Sequence, residues 1–168
     1  MHSDFIKEAG VPFLAHRLKR LSEHLVHEIA IALEKRGLAV PATAGSTLVL
    51  LAVHGPMGVM EIAGRLRLTH PLIVRLVAKL EDMGLVAVHC DDTDLRRKRV
   101  SLTGRGQQEA EELLALNGAL TAVFQEAFAR TGVNLLDALD QFEAEFAAIP
   151  LRDAIDRQLA KGTEPCVA

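Results

Sequence analysis

Apolar residues recur every three or four positions near the start of the chain and predict a long amphipathic helix. The repeat runs from Phe13 to Leu33, and this spacing places the side chains on one face of an α-helix. Gly37 follows as the expected C-terminal stop. The stripe consists of Leu14, Leu18, Leu21, Leu25, Ile29 and Leu33.

Three shorter helices are predicted in the segment that follows. A His-Gly-Pro run at residues 54–56 separates the first from the second, and Gly84 caps the third. The predicted bounds are Pro41 or Thr43 to His54, Val59 to Leu66, and Thr69 to about Met83. In the third helix the side chains expected to face inward are Ile73, Leu76, Val77 and Leu80.

The hydrophobic period changes after Gly84. Residues 85–89 and 99–102 are short β-branched segments on either side of a polar loop at 91–98. This pattern predicts a β-hairpin.

Two further apolar helices are predicted in the C-terminal part. The first begins at Thr103, and Pro150 is expected to break the second before a short amphipathic segment at 151–159. The first and last helices carry more apolar surface than the small middle unit can cover. Because a small domain that exposed such faces would aggregate, we expect a two-fold dimer built from residues 11–37 and 107–160.

Positive charge is concentrated in the middle of a chain that is acidic overall. The net charge is −3, but residues 61–103 hold eight Lys or Arg against six Asp or Glu, which gives +2 there and −5 elsewhere. No acid lies between Glu61 and Glu81. This distribution suits a nucleic-acid partner for the middle segment.

The middle segment has the pattern of a helix-turn-helix. Ala63 is small enough to allow a close helix crossing, and Thr69 is expected to cap the second helix. Pro71 falls in the first turn, where its missing N–H is harmless. The free backbone donors and positive dipole end of this helix are then expected to face DNA phosphate.

Two motifs give the chain a specific resemblance to the MarR family of winged-helix regulators. The segment from Asp94 to Thr103 is similar to that family's wing, in which Asp-x-Arg and five further residues precede Leu-Thr. The segment from Arg75 to Val86 resembles its recognition helix and the exit from it. The likeness extends over roughly Leu14 to Leu159, and its sharp motifs lie within 59–106.

The resemblance implies a mainly α-helical fold with a small β-hairpin wing. It also implies that the protein acts as a transcriptional repressor. Residues 43–106 would form the winged helix-turn-helix domain, and two such lobes of a homodimer would bind a pseudo-palindromic operator in double-stranded DNA. The aspartate at Asp94 would orient Arg96 toward the minor groove. The residues expected at the DNA are Thr69, His70, Pro71, Val74, Arg75, Lys79, Asp94, Arg96, Arg97 and Lys98.

Two positions depart from the family pattern. Val74 stands where Ser or Thr is usual, and Leu95 stands where Arg is usual. Valine can touch a thymine methyl but cannot form a hydrogen bond with a base edge, so sequence readout is expected to be weak or to rest on Arg75 and His70. The alternative function is therefore a winged-helix module that binds a protein partner, with weak or no DNA binding.

Other chemistry finds little support in the sequence. His16, His24 and His27 lack an acidic or thiol partner that would complete a metal site, and a redox role for Cys90 has no nearby base or resolving thiol. No catalytic triad, phosphate loop or paired carboxylates appear, so neither an enzyme nor a bound cofactor is expected.

The same composition indicates a cytoplasmic protein. Charges interrupt every apolar run, which excludes a membrane span, and the start of the chain lacks the features of a secretory signal. A small organic effector is expected between the dimerising helices and the DNA-binding lobe.

Overall fold

A computed structural model describes residues 3–90 and 98–162 of the chain. Its helices are α1 (Phe5–Ala9), α2 (Leu14–Glu34), α3 (Gly45–His54), α4 (Val59–Leu66), α5 (His70–Asp82), α6 (Gly104–Thr131), α7 (Leu135–Ala148) and α8 (Leu151–Gly162). Its strands are β1 (Met57–Gly58), β2 (Val86–Cys90) and β3 (Lys98–Leu102). Short 3-10 turns occupy Val11–Phe13 and Ala42–Ala44. The chain divides into two compact units, Met1–Asn117 and Gly118–Ala168.

The first unit is built around a core that α3, α4, α5 and the sheet share. Each of these elements contributes side chains that solvent does not reach, because its apolar residues fall on one face. The core residues of this lobe are Leu48, Leu51, Met57, Ile62, Ile73, Val77, Leu80, Leu85, Val86 and Val100. The inward face predicted for the helix after Thr69 is confirmed, with Leu76 half-buried at its edge.

The predicted hairpin is part of a three-stranded antiparallel sheet with the order β1-β3-β2. Val88 pairs with Val100 between β2 and β3, and Met57 pairs with Val100 from the other side. The hairpin itself is confirmed, but the sequence did not predict β1, because two residues are too short to show a strand period. The first strand of the hairpin, β2, begins at Val86, one residue later than predicted, because Leu85 belongs to the turn after α5.

The N-terminal helix α1 was likewise absent from the prediction. Asp4 caps it by accepting a hydrogen bond from the Lys7 N–H, and the Asp4 carboxylate lies 2.8 Å from the Arg20 guanidinium of α2. This contact lowers the pKa of Asp4 and raises that of Arg20. Phe5 stacks edge-on against Phe13, with ring centroids 5.7 Å apart. A five-residue helix thus depends on partners outside itself.

The second unit presents apolar side chains to solvent. On α7, Phe142 and Phe146 lie one turn apart with ring centroids separated by 6.2 Å, and they border a cavity of about 240 Å³ with Ala138, Gln141 and Glu145. Phe142 is 53% exposed. On α8, the exposed apolar residues are Leu151, Ile155 and Leu159. Pro150 separates the two helices, as predicted.

Candidate nucleic-acid interface

A tight turn joins α4 to α5 and sets the direction of the second helix. The Leu68 N–H donates to the Ala63 carbonyl at 3.0 Å, and the Arg67 N–H donates to the Gly64 carbonyl at 3.3 Å. These bonds require a left-handed residue after the helix, and Arg67 adopts it with φ of 51°. Glycine usually occupies such a position, because a side chain there adds steric strain.

The start of α5 differs in detail from the prediction. Thr69 occupies the N-cap position and Pro71 lies in the first turn, as expected, but the Thr69 hydroxyl forms no capping hydrogen bond. The Thr69 carbonyl instead accepts the N–H groups of Leu72 at 3.0 Å and Ile73 at 3.1 Å. Of the backbone donors expected to be free here, Pro71 contributes none because it lacks an N–H, and the Leu72 N–H is already used.

The two sides of α5 have opposite roles. Ile73, Val77 and Leu80 are buried in the lobe, and the side chains at the predicted DNA positions of this helix are exposed. These exposed residues are Thr69, His70, Pro71, Val74, Arg75 and Lys79. The structure thus brings this part of the predicted site together on one solvent-facing surface, as required of a helix that enters a groove.

The cations of this surface are not neutralised within the described residues. Arg75 and Lys79 form no ion pair there, whereas Arg65 on α4 pairs with Glu61 at 3.2 Å. A positive side chain without an internal partner is available for phosphate or for a base edge. Arg75 and Lys79 therefore carry the positive charge that α5 can offer to DNA.

A second tight turn ends α5 and leads directly into the sheet. Gly84 has φ of +69°, its N–H donates to the Glu81 carbonyl, and the Leu85 N–H donates to the Leu80 carbonyl at 2.9 Å. Leu80 and Leu85 are both completely buried. This arrangement of a left-handed glycine between paired apolar residues confirms the predicted cap at Gly84.

Helix α6 holds this turn from outside. The Thr103 hydroxyl donates to the Gly84 carbonyl at 2.7 Å and accepts the Gly106 N–H at 3.0 Å, so one side chain both caps α6 and binds the turn that ends α5. Gly106 packs so closely that a Cβ there would lie 1.8 Å from the Leu85 carbonyl oxygen.

An arginine and a glutamate on α6 extend this connection. The Arg105 guanidinium donates to the Met83 carbonyl at 3.0 Å and to the Glu109 carboxylate at 3.4 Å. The buried Glu109 carboxylate also accepts the N–H groups of Ala39 at 3.1 Å and Val40 at 2.9 Å. The end of α5 and the segment before α3 are thereby bound to the same turn of α6.

The described part of the wing includes one residue of the predicted site. Lys98 begins β3 with an exposed side chain opposite Cys90. Its neighbour Arg99 donates a hydrogen bond to the Pro56 carbonyl and so connects the wing to the loop before β1. The predicted DNA residues Asp94, Arg96 and Arg97 lie outside the described residues, as does Leu95.

Sequence reasoning missed several residues that shape this surface. Ala78 is exposed on the same side of α5 as Val74, and a helical projection from Pro71 would have found it. Arg105 and Glu109 are long-range contacts to backbone groups, for which the sequence holds no local signal. Packing was the alternative considered for Cys90, but its side chain is exposed.

Two other features bear on the class of protein. Within residues 3–90 and 98–162, no group of three or more His, Cys, Asp or Glu side chains is placed to hold a metal ion. Over the same residues, none of the helices combines the length and the apolar character needed to cross a membrane.

Solved structures share this fold over most of their length. The MarR family transcriptional regulator SPO1453 from Silicibacter pomeroyi DSS-3 has a TM-score of 0.62 at 23% identity, covering 86% of this chain and 99% of its own. The transcriptional regulator BldR from Sulfolobus solfataricus has a TM-score of 0.57 at 24% identity, covering 88% and 100%. MepR from S. aureus, solved in complex with DNA, has a TM-score of 0.60 at 22% identity, covering 81% and 95%.

The sequence comparison agrees with this fold. The sequence model of the MarR family matches residues 40–98, from the segment before α3 to the first residue of β3. Among curated proteins, no sequence matches the chain. Regulators of the matched family are non-enzymatic DNA-binding proteins. Residues 40–98, which contain the helix-turn-helix and the first strand of the hairpin, therefore match the MarR family, and the chain has the winged helix-turn-helix fold of the solved regulators.

Proposed function

We propose that the protein is a homodimeric repressor that binds a pseudo-palindromic operator through α5 and the wing. The observation that carries this proposal is the exposed, acid-free start of α5, on which Arg75 and Lys79 have no partner among the described residues. Such a helix supplies both base contacts and phosphate contacts in the major groove. MepR, which shares the fold, was solved with DNA bound.

The dimer in this proposal rests on exposed apolar surface. In the first unit, Leu14, Leu18 and Leu21 of α2 are each at least 40% exposed, although their spacing is that of a buried stripe. In the second unit, the aromatic pair of α7 and the leucines of α8 are exposed as well. A second copy that covers the helices within 11–37 and 107–160 would remove this surface from water, leaving 43–106 for DNA.

We also propose that a small organic molecule releases the repressor from DNA. The support comes from a solved structure with the same fold: PefR from Streptococcus agalactiae is a heme sensor that was solved in complex with heme. A ligand shifts the equilibrium only if its affinity differs between the DNA-bound and released arrangements.

Two alanine substitutions test the DNA-binding surface. Arg75→Ala should weaken operator binding by about 1 to 3 kcal/mol and random duplex much less, because a base contact acts on the correct sequence. Arg96→Ala should weaken both duplexes alike and flatten the salt dependence, because groove electrostatics act on all sequences. Binding is measured by fluorescence anisotropy at two salt concentrations, with the intergenic DNA beside the protein's own gene as the operator source.

Lys19→Ala is the matched control, because it removes one positive charge from a side chain that is 74% exposed and paired with Glu23 on α2. Its affinity and salt slope should equal those of the wild type. Unchanged binding by both Arg75→Ala and Arg96→Ala would contradict the assignment and favour the protein-interaction module, to which the exposed apolar Val74 is suited.

A further inference from the structure

We infer that the centre of the exposed α5 face recognises the C5 methyl group of a thymine in each operator half-site. This inference rests on the proposed DNA-binding function and names the base feature that the helix selects. It follows from two features of α5: which of its side chains are exposed, and the absence of hydrogen-bonding groups from the side chains along one exposed strip.

A strip of small apolar residues runs along the exposed side of α5. At about 100° per residue, Pro71, Val74 and Ala78 fall within roughly 60° of one another on the helix circumference. All three are exposed, and Val74 is 44% exposed. Pro71 and Ala78 lie opposite the buried Leu80, whereas Val74 lies about 60° from the buried Val77. The strip therefore runs along the exposed side of α5, and Val74 is its member nearest the buried side.

Polar side chains flank this strip but do not interrupt it. By the same projection, Arg75 and Lys79 lie to one side of it and His70 lies to the other. Asp82 belongs to the same face, but it follows Val74 by eight residues, about 12 Å along the axis. Phosphate would be repelled there, so the contact zone is confined to the part of the helix before Asp82.

The major groove offers one feature that suits such a strip. Its base edges present hydrogen-bond donors and acceptors, together with the C5 methyl group of thymine. Against a polar base edge, a strip without donors or acceptors displaces water and offers no hydrogen bond in return, which is unfavourable. Against a methyl group, the same strip buries apolar surface, which is favourable. Val74 is stiff at χ1, so little rotamer freedom is lost on contact. The flanking cations hold the helix in the groove.

The test removes single methyl groups from the DNA. The full-length protein selects a tight duplex from a randomised pool, and each thymine of that duplex is then replaced in turn by deoxyuridine. At one thymine in each half-site, replacement by deoxyuridine should weaken binding about fourfold, which is the effect of losing one buried methyl group. Replacing the other thymines should change affinity by less than about twofold.

Protein variants identify the side chain responsible. Val74→Ala should bind the thymine duplex about as weakly as the wild type binds the deoxyuridine duplex, and it should lose most of the difference between the two. Val53→Ala, which shortens a valine that is 60% exposed on α3, should keep the full fourfold difference.

The outcomes separate this inference from the proposed function. Tight, sequence-selective binding without methyl dependence, or a methyl effect of equal size in Val74→Ala, overturns the inference and leaves the repressor assignment intact. Failure to enrich any duplex overturns the DNA-binding function itself, and the inference with it.

Discussion

Gly106 is the residue at which α6 comes closest to the turn after the recognition helix. A Cβ at this position would meet the Leu85 carbonyl oxygen at 1.8 Å and its carbon at 2.9 Å. Both are backbone atoms, and the oxygen also accepts the Thr103 N–H at 3.1 Å. Neither can move aside without displacing the turn, so glycine is required here by contact and not by its backbone angles.

Gly106→Ala should therefore lower the free energy of unfolding by about 2 kcal/mol or more, the upper range for overpacking against atoms that cannot relax. Gly104→Ala is the matched control two residues earlier, since nothing lies within 4 Å of its Cβ position. That variant should be neutral or gain up to about 1 kcal/mol from helix propensity. Urea unfolding followed by circular dichroism measures both. Equal stability of the two variants would contradict the contact.

Individual residues also show where sequence reasoning fails. Gly84 was predicted as a cap because glycine is the usual left-handed residue after a helix. Arg67 adopts the same conformation in the preceding turn with φ of 51°, and nothing in an arginine indicates this. The break after α4 was located correctly, but the left-handed conformation at Arg67 could not be predicted from the residue type.

At the scale of elements, helices with a clear apolar period were predicted to within a residue or two. The bounds of α2, α4 and α5 agree with the pattern, because each helix buries one face and exposes the other. Helix α1 and strand β1 were missed, since five and two residues carry no detectable period. The exposed residues of α5 followed from the same period, but its connections to α6 did not.

Glu109 supports one of those connections, and its substitution gives a test at this scale. Glu109→Ala leaves the buried N–H of Val40 and the part-buried N–H of Ala39 without their acceptor, which should cost about 2 kcal/mol. Glu109→Gln keeps one side-chain oxygen and should cost about half as much. Glu112→Ala, an exposed site on the same helix, should have little effect. Chemical denaturation of the four proteins decides between these expectations, and a neutral Glu109→Ala would show that the bonds do not matter.

The whole molecule is expected to depend on a second copy for its stability. Leu18 is 40% exposed in the middle of the α2 stripe. Leu18→Lys would place a charge in the proposed interface, where removing it from water is unfavourable, so the dimer dissociation constant should rise at least tenfold.

Sedimentation velocity over a concentration series measures this change. Val53→Lys is the control, because it adds the same charge at an exposed valine outside the proposed interface, and it should sediment like the wild type. A Leu18→Lys protein that remains fully dimeric at nanomolar concentration would exclude α2 from the interface.

The separation of buried and exposed residues on α5 has a consequence for how such a regulator can diverge. Ile73, Val77 and Leu80 hold the helix in the lobe, and none of them belongs to the outward strip of Pro71, Val74 and Ala78. Substitutions in the strip can therefore accumulate at little energetic penalty to the fold. Gene duplication followed by change at these few positions would redirect one copy to a new promoter, and a combinatorial library limited to them could retarget the protein by design.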